Sequence, residues 1–267
     1  MTQPAQATAT QTWRHIVRLH KVDMTFGKVQ ALSRVDFEVG RNEIVGLLGD
    51  NGAGKSTLIK IVSGVLRPTA GKVWVRDALI DLDDYSVRMA HELRIETVHQ
   101  GLSLGEKQPL WRNLFVGRQI TGRFGFIDVR KEKQVAHDLL RQAIGFRGHG
   151  INADSTVRDL SGGERQGVAI ARAMYFQADL IVLDEPTTAL AVSEVRKVLA
   201  FVEGVKAAGH ACIYIEHNLA HVHEVADRLV ILDRGKVVGE FAKGEISLTE
   251  LTRRMIALHE AQPRGHS

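Results

Sequence analysis

The chain has 267 residues, of which 44% are hydrophobic and 25% charged, so it can bury one large core or a core with a subdomain. Its 35 basic and 31 acidic residues leave a formal net charge of +4, and the scattered basic side chains argue against a nucleic-acid-binding surface. The sequence has no run of about 18 apolar residues, which excludes a predicted membrane-spanning helix. A single cysteine, Cys212, excludes an intrachain disulfide, and its apolar neighbours predict a buried side chain.

The first 12 residues are rich in Ala, Thr and Gln and lack the positive charge and apolar run of a secretory signal. We therefore expect residues 1–13 to form a flexible tail and the protein to be cytoplasmic. Short segments of alternating polarity follow within residues 16–39 and 72–82, and they predict the β-strands of a small sheet.

The most informative stretch is 49–57, which reads GDNGAGKST and matches the phosphate-binding pattern G-x-x-x-x-G-K-[S/T]. A buried strand is predicted before it at 43–48 and a helix after it at 56–65, which is the context such a loop requires. Glycines let backbone N–H groups close around phosphate oxygens, Lys55 can reach the β- and γ-phosphates, and Ser56 can ligate Mg²⁺. The residues predicted to bind a nucleoside triphosphate are Gly49, Asn51, Gly52, Ala53, Gly54, Lys55, Ser56 and Thr57.

Residues from about 101 to 176 show a helical pattern, clearest at 128–144, where apolar residues recur near helical spacing between charges. We therefore predict a helical subdomain inserted in the nucleotide-binding core. Near its end, Ser161 followed by Glu164 predicts a capping box, and the glycines at 162–163 leave the backbone amides of the helix start bare. This segment is either a second anion-binding site or an ordinary helix cap.

The apolar strand predicted at 180–183 ends in two consecutive carboxylates, Asp184 and Glu185. Side chains alternate along a strand, so we expect the two carboxylates to point to opposite sides. Asp184 would hold Mg²⁺ opposite Ser56, and Glu185 would polarise an attacking water as a general base. Such a pair on its own is more often part of a turn, but the phosphate loop upstream favours the catalytic interpretation.

A further buried strand is predicted at 211–215, and an amphipathic helix at 247–259 is followed by a polar tail. The apolar strands are separated by helical patterns, which is typical of an α/β fold with a buried parallel sheet. The sheet is assembled from both ends of the sequence.

Five features occur in a specific order and spacing: the phosphate loop, Gln100, the Leu-Ser-Gly-Gly sequence at 160–163, the pair at 184–185 and His217. In this arrangement the chain resembles the nucleotide-binding subunit of an ABC transporter over about residues 16–255. The resemblance implies a P-loop NTPase ABC-ATPase fold with a RecA-like core, an N-terminal antiparallel β subdomain and an inserted α-helical subdomain. On this interpretation the ATPase domain spans 14–258 and a C-terminal tail spans 259–267.

The resemblance also implies a head-to-tail homodimer that encloses two ATP molecules with Mg²⁺. Each ATP would be held by the phosphate loop of one subunit and by Ser161, Gly162 and Gly163 of the other. Most members of the family have an interface aspartate where this chain has Ala191, so the resemblance does not predict that interface contact here.

Three further residues receive roles only through the resemblance. Phe26 would stack on adenine, Gln100 would touch Mg²⁺ and the water near the γ-phosphate, and His217 would contact the γ-phosphate and orient that water. Gln100 and His217 are thus predicted to act in catalysis together with Glu185.

The segments 109–118, 185–190 and 234–240 resemble the ATPases of bacterial monosaccharide importers of the ribose, xylose and fructose type. This implies membrane permease subunits as partners, a periplasmic substrate-binding protein acting indirectly, and a peripheral location at the cytoplasmic face of the inner membrane. Three apolar side chains of 109–118 share helical spacing and either receive a permease helix or pack the subdomain. They are Trp111, Leu114 and Phe115.

Three alternatives remain at this stage. In the first, the chain would drive a transporter for another solute, such as an amino acid or a lipid. In the second, it would act as a soluble ABC ATPase on DNA or ribosomes. Soluble members of that kind generally have two fused ATPase domains or a long coiled-coil insertion, and neither is present in this sequence. A regulatory module that binds nucleotide without turnover is disfavoured by Glu185, Gln100 and His217.

Overall fold

The computed structural model describes residues 13–99, 105–143 and 151–261, which form two sheets and the helices around them. The strands are β1 His15–Phe26, β2 Val29–Gly40, β3 Ile44–Leu48, β4 Ala70–Val75, β5 Ala78–Leu79, β6 Ile95–His99, β7 Leu180–Asp184, β8 Ala211–Ile215, β9 Arg228–Asp233 and β10 Lys236–Ala242. The helices are α1 Lys55–Val62, α2 Val87–Glu92, α3 Leu110–Phe115, α4 Val129–Ala143, α5 Gly162–Tyr175, α6 Val192–Ala207, α7 Leu219–Val225 and α8 Leu248–Glu260, with a 3₁₀ turn at Val157–Asp159.

The first sheet is antiparallel and has the strand order β2-β1-β4-β5. β1 and β2 are both 12 residues long and alternate between buried and exposed positions over much of their length, as a sheet with one covered face requires. The covered face packs into the same core as α1 and residues of the second sheet. This sheet therefore forms the support for the loop that follows β3.

The second sheet has the order β10-β9-β3-β8-β7-β6, and only its edge strand β10 runs antiparallel to its neighbour. All five residues of β3 and of β8 are buried, which explains their continuous apolar sequences. In register, Ile215 pairs with Leu47 on one side and with Asp184 on the other. The carboxyl ends of β3, β7 and β8 therefore lie at one edge of the sheet, so the segments that follow these three strands are neighbours.

The helical section between β6 and β7 has its own apolar cluster, formed by α3, α4, α5 and the 3₁₀ turn. Trp111, Leu114 and Phe115 are at most 8% exposed within it, and the Phe115 ring meets Tyr175 edge-on at 5.5 Å between centroids. These three side chains therefore pack the subdomain and do not form an open docking face. The helix predicted at 128–144 is observed as α4, whose described residues end at 143.

The C-terminal part adds elements that the sequence patterns did not predict. β9 and β10 form a hairpin that extends the second sheet beyond β3, and α7 follows β8. α8 begins one residue later than predicted and continues to Glu260, two residues beyond the predicted domain end. His259 of α8 contacts the Asp50 carboxylate, so this helix is attached to the phosphate loop.

The described helices include none that is both long and apolar enough to cross a membrane.

Candidate functional site

The loop between β3 and α1 requires glycine at two positions where other chain segments approach closely. Gly49 has φ 152°, and a Cβ there would lie 2.3 Å from the Leu232 carbonyl oxygen. Gly54 has φ 107°, and a Cβ there would lie 2.7 Å from the Ala31 carbonyl oxygen. Both sheets therefore press against the loop, and its path depends on the absence of side chains at 49 and 54.

Lys55, the first residue of α1, is only 7% exposed. Its Nζ donates hydrogen bonds to the carbonyl oxygens of Gly49 at 2.6 Å and Asp50 at 3.0 Å, so the side chain folds back over the loop. Burial lowers the pKa of Lys55, and the carboxylates of Glu185, Asp50 and Asp184 oppose that shift. The ammonium group thus lies at the mouth of the loop among groups from two segments, the loop itself and the end of β7.

The start of α1 is suited to an anion. Gly54 occupies its N-cap position and provides no side-chain acceptor, and the first turn contains no acidic residue. The first backbone N–H groups of a helix need acceptors, and the helix dipole favours negative charge there. The concave loop, the helix start and Lys55 together fit the phosphate chain of a nucleotide.

Asp184 and Glu185 follow the alternation rule only in part. Asp184 is the last residue of β7, whereas Glu185 has φ 50°, in the left-handed region, and so lies outside the strand. Strand alternation therefore does not apply at Glu185, because the chain turns at this residue. Both carboxylates act electrostatically on Lys55, so both lie near the phosphate loop.

His217 follows β8 and lies beside Glu185, with 2.8 Å between His217 Nε2 and Glu185 Oε1. The Glu185 amide donates to the Ile215 carbonyl oxygen at 3.0 Å, which joins the ends of β7 and β8. A carboxylate and an imidazole in this arrangement can share a proton or orient each other. The side chains are 29% and 48% exposed, so a water molecule can reach them.

Glu216, which the sequence analysis did not single out, holds these two segments together. Its side chain is 5% exposed, and its Oε1 accepts hydrogen bonds from the Thr187 amide at 2.7 Å and the Thr187 hydroxyl at 2.5 Å. Its Oε2 accepts one from the His217 amide at 3.2 Å. The signal in the sequence was an acidic residue directly after a fully apolar strand, next to His217.

The second predicted anion site lies at the start of α5. The predicted capping box is confirmed: Ser161 Oγ accepts from the Glu164 amide at 3.4 Å, and Glu164 Oε2 accepts from the Ser161 amide at 2.8 Å. A Cβ on Gly162 would lie 2.3 Å from Leu190 Cδ2, so the chain before α6 packs directly on this glycine. A Cβ on Gly163 would lie 3.0 Å from Glu194 Cβ, so the start of α6 packs on this glycine as well.

The structure thus brings the phosphate loop, Asp184, Glu185 and His217 to one edge of the second sheet. Phe26 ends β1 and is 46% exposed, so its ring is available for stacking. Gln100 lies outside the described residues. The remaining predicted residues are at the start of α5, packed against the start of α6, and they are Ser161, Gly162 and Gly163.

Sequence comparisons give matches over most of the chain. A family model described as ABC transporter matches residues 32–188. The xylose/arabinose import ATP-binding protein XylG of Sulfolobus acidocaldarius is 41% identical over 240 residues, which is 90% of this chain and 93% of that protein. The fructose import ATP-binding protein FrcA of Rhizobium meliloti is 39% identical over 79% of this chain and 82% of that protein.

The ribose import ATP-binding protein RbsA of Caldanaerobacter subterraneus subsp. tengcongensis is 32% identical over 90% of this chain. The match covers 47% of that protein, so the chain spans about half the length of this relative.

Solved structures resemble the fold closely. A nucleotide-free ATP-binding cassette from an ABC transporter has a TM-score of 0.79 at 24% identity and covers 93% of this chain and 100% of that chain. A dimeric cassette in a post-hydrolysis state, bound to ADP and phosphate, has a TM-score of 0.70 at 23% identity and covers 86% of this chain and 100% of that chain. The predicted α/β fold of a P-loop ATPase is confirmed by this likeness.

Proposed function

Since this chain belongs to the ABC transporter family, we propose that it is the ATP-hydrolysing subunit that powers an importer for a monosaccharide. The sugar class is proposed because the relatives above are named for xylose or arabinose, fructose and ribose import. The observation that carries the ATPase role is the meeting of the phosphate loop, the carboxylates at the end of β7 and His217 at one sheet edge.

ATP would bind with its phosphates in the loop at 49–57, and Phe26 would stack on the adenine. Lys55 would exchange its two carbonyl acceptors for oxygens of the β- and γ-phosphates, which are stronger partners because they are charged. The buried stem of the side chain already directs Nζ to the loop, so this exchange needs only a small movement.

Mg²⁺ would be held by the Ser56 hydroxyl and the Asp184 carboxylate, with Gln100 as a further ligand. When bound, the ion would neutralise developing charge on the β- and γ-phosphates. Oxygen donors are the ligands that Mg²⁺ prefers, and it is usually held by one or two carboxylates together with substrate phosphates. The donor set of these residues therefore fits the ion.

Glu185 would accept the proton of the attacking water, and His217 would hold the carboxylate and contact the γ-phosphate. Their 2.8 Å contact supports this division, because one group can orient the other before the water is deprotonated. Glu216 would act as a positioning residue, since it binds the backbone next to both groups.

We further propose a head-to-tail homodimer in which Ser161, Gly162 and Gly163 of one subunit face the γ-phosphate bound by the other. The start of α5 provides a helix N-terminus for that anion. The chain contains one set of nucleotide motifs and spans about half of RbsA, so two copies would supply two sites. Permease subunits at the cytoplasmic face of the membrane would convert dimer closure into transport, and a periplasmic substrate-binding protein would act through them.

The Glu185→Gln variant tests the ATPase mechanism. We expect it to bind ATP and dimerise while turnover falls by about 100-fold or more, because the amide cannot accept the proton. The control is Glu203→Gln, an equal loss of charge on an exposed position of α6, which should keep wild-type turnover. Unchanged turnover in Glu185→Gln would remove the role given to this carboxylate.

The transport role has its own test, which is affinity purification of the full chain from membranes. Recovery with a multispanning permease and sugar-dependent stimulation of ATP hydrolysis in reconstituted vesicles would support it. Recovery with DNA or ribosomes would instead favour a soluble ABC ATPase.

A further inference from the structure

The last turn of α8 is attached to the phosphate loop. His259, in that turn, contacts the Asp50 carboxylate through its Nδ1 atom and Asp50 Oδ2. An ionised carboxylate can only accept hydrogen bonds, so His259 Nδ1 is the donor. The two residues are 209 positions apart in the chain, and the loop is therefore tied to an element from its far end.

Asp50 is itself closely connected to the groups that would hold the phosphates. Its Oδ1 accepts a hydrogen bond from the Asn51 amide at 2.8 Å. Its backbone carbonyl oxygen accepts from the Ala53 amide at 3.1 Å and from Lys55 Nζ at 3.0 Å. A change in the orientation of Asp50 would thus reach both the loop amides and the ammonium group.

The end of α8 has a second attachment beside the same loop. Arg234, in the turn between β9 and β10, donates from Nη2 to the carbonyl oxygen of Ala261, the C-cap residue of α8, at 2.7 Å. Carbonyl groups at the end of a helix need donors, and the helix dipole favours a cation there. The next residue, Gly235, donates its amide to the Ala53 carbonyl oxygen at 2.8 Å. The turn that holds α8 is therefore bound to the phosphate loop as well.

Apolar packing contributes little at this end of α8. Among the described residues of the helix only Leu251 is buried, and it lies in the first half, while Met255 and Leu258 pack on the core only in part. A cavity of about 330 Å³ lies between the helix and the loop, and its lining includes Asp50, Leu258 and His259. The end of the helix is therefore held largely by the polar contacts described above.

We propose that His259 is a positioning residue that sets the affinity of the phosphate loop for ATP by fixing the Asp50 carboxylate. This inference rests on the nucleotide site of the proposed function. Asp50 and the ATP phosphates carry charge of the same sign, and both attract Lys55. A less firmly held carboxylate would repel the phosphates and compete with them for the ammonium group, whereas His259 restricts it to one orientation.

The exposure of the contact limits the size of its effect. The side chains of His259 and Asp50 are 71% and 35% exposed. Exposed pairs contribute modestly, so we expect the loss of His259 to raise the Kd for ATP by about two- to fivefold. The rise should shrink in about 1 M salt, because exposed charges are screened.

The experiment measures the Kd for ATP with Mg²⁺ by isothermal titration calorimetry in the Glu185→Gln background, so that hydrolysis does not obscure binding. Adding His259→Ala should raise the Kd by about two- to fivefold. Adding His259→Asn should preserve most of the affinity, because its amide N–H takes about the position of Nδ1. The control is His137→Ala, which removes an exposed histidine of α4 beside another acid, Asp138, and should leave the Kd unchanged.

Asp50→Asn tests whether His259 acts through the carboxylate. This variant removes the charge and keeps a side-chain oxygen for the Asn51 amide. In its presence His259→Ala should no longer change the Kd, as a double-mutant cycle shows for two residues that act through one another. An equal rise in Kd with and without Asp50→Asn would overturn the inference, and so would an unchanged Kd in His259→Ala.

Kinetics separate this positioning role from a purely structural one. With Glu185 intact, His259→Ala should raise KM for ATP and leave kcat unchanged, because the catalytic groups Glu185 and His217 are retained. A purely structural role predicts instead a lower melting temperature and equal losses in His259→Ala and His259→Asn, which would overturn the inference alone. A Glu185→Gln protein that does not bind ATP would overturn the proposed nucleotide site and this inference with it.

Discussion

The Thr187 hydroxyl should contribute measurably to stability, because it binds a buried charge. Thr187 is 7% exposed and Glu216 is 5% exposed, and the distance from Thr187 Oγ1 to Glu216 Oε1 is 2.5 Å. Thr187→Val replaces this hydroxyl by a methyl group of similar size, so it removes the hydrogen bond without creating a cavity. Glu216 keeps two backbone donors, the Thr187 amide and the His217 amide.

A hydrogen bond to a charged group contributes about 1.5–3 kcal/mol, so we expect Thr187→Val to lower the free energy of unfolding by about that amount. The matched control is Thr187→Ser, which keeps the hydroxyl and loses one methyl group, at a cost of about 1 kcal/mol. Urea denaturation of the two variants measures the difference, with equal m-values required for the comparison.

The same variant should also slow ATP hydrolysis more than it weakens ATP binding. Glu216 connects the backbone after Glu185 with the His217 amide. A less firmly held Glu216 side chain would therefore disturb both catalytic groups, Glu185 and His217, while the phosphate loop stays intact. We expect kcat to fall and KM for ATP to change little. Equal stability of Thr187→Val and the wild type, or equal losses in Thr187→Val and Thr187→Ser, would refute the reasoning.

Two further predictions concern packing around the site. Gly49→Ala should abolish ATP binding or folding because its Cβ would lie 2.3 Å from the Leu232 carbonyl oxygen. Gly52→Ala should lower the free energy of unfolding by only about 1–2 kcal/mol, because nothing described lies within 4 Å of its Cβ and only the strain of the left-handed backbone conformation remains. Thermal melts and ATP-binding titrations check this pair, and similar behaviour of the two variants would contradict it. Burial raises the pKa of the Cys212 thiol far above its usual range. We therefore expect iodoacetamide at pH 8 to label Cys212 only after denaturation. Rapid labelling of the native protein would contradict the burial.

Much of the nucleotide site was predictable because its chemistry is carried by contiguous residues. Local spacing is enough to recognise three of its features. They are the loop at 49–57, the carboxylate pair at 184–185 and the capping box at 161–164. The apolar runs of β3, β7 and β8 likewise predict parallel strands, and parallel strands bring their carboxyl ends to one edge. The roles assigned to Gln100 and Phe26 stay predictions, since they depend on the resemblance to the ABC family.

Other features depend on contacts between distant segments, and local patterns did not reveal them. The helical spacing of Trp111, Leu114 and Phe115 fits both a docking face and a core, and only the packing of α4 and α5 against α3 buries them. The left-handed turn at Glu185 ends the strand pattern, and the contact of its carboxylate with His217 depends on the neighbouring strand β8.

The sequence by itself determined that this protein binds a nucleoside triphosphate and hydrolyses it, because the chemistry requires specific residues at fixed short spacings. The tertiary structure alone decided how those groups are held. Glu216 binds Thr187 across 29 positions of the chain, and the Leu190 side chain packs on Gly162 from the segment before α6. Such contacts depend on the path of the backbone through both sheets and the helical subdomain, and no local spacing records that path.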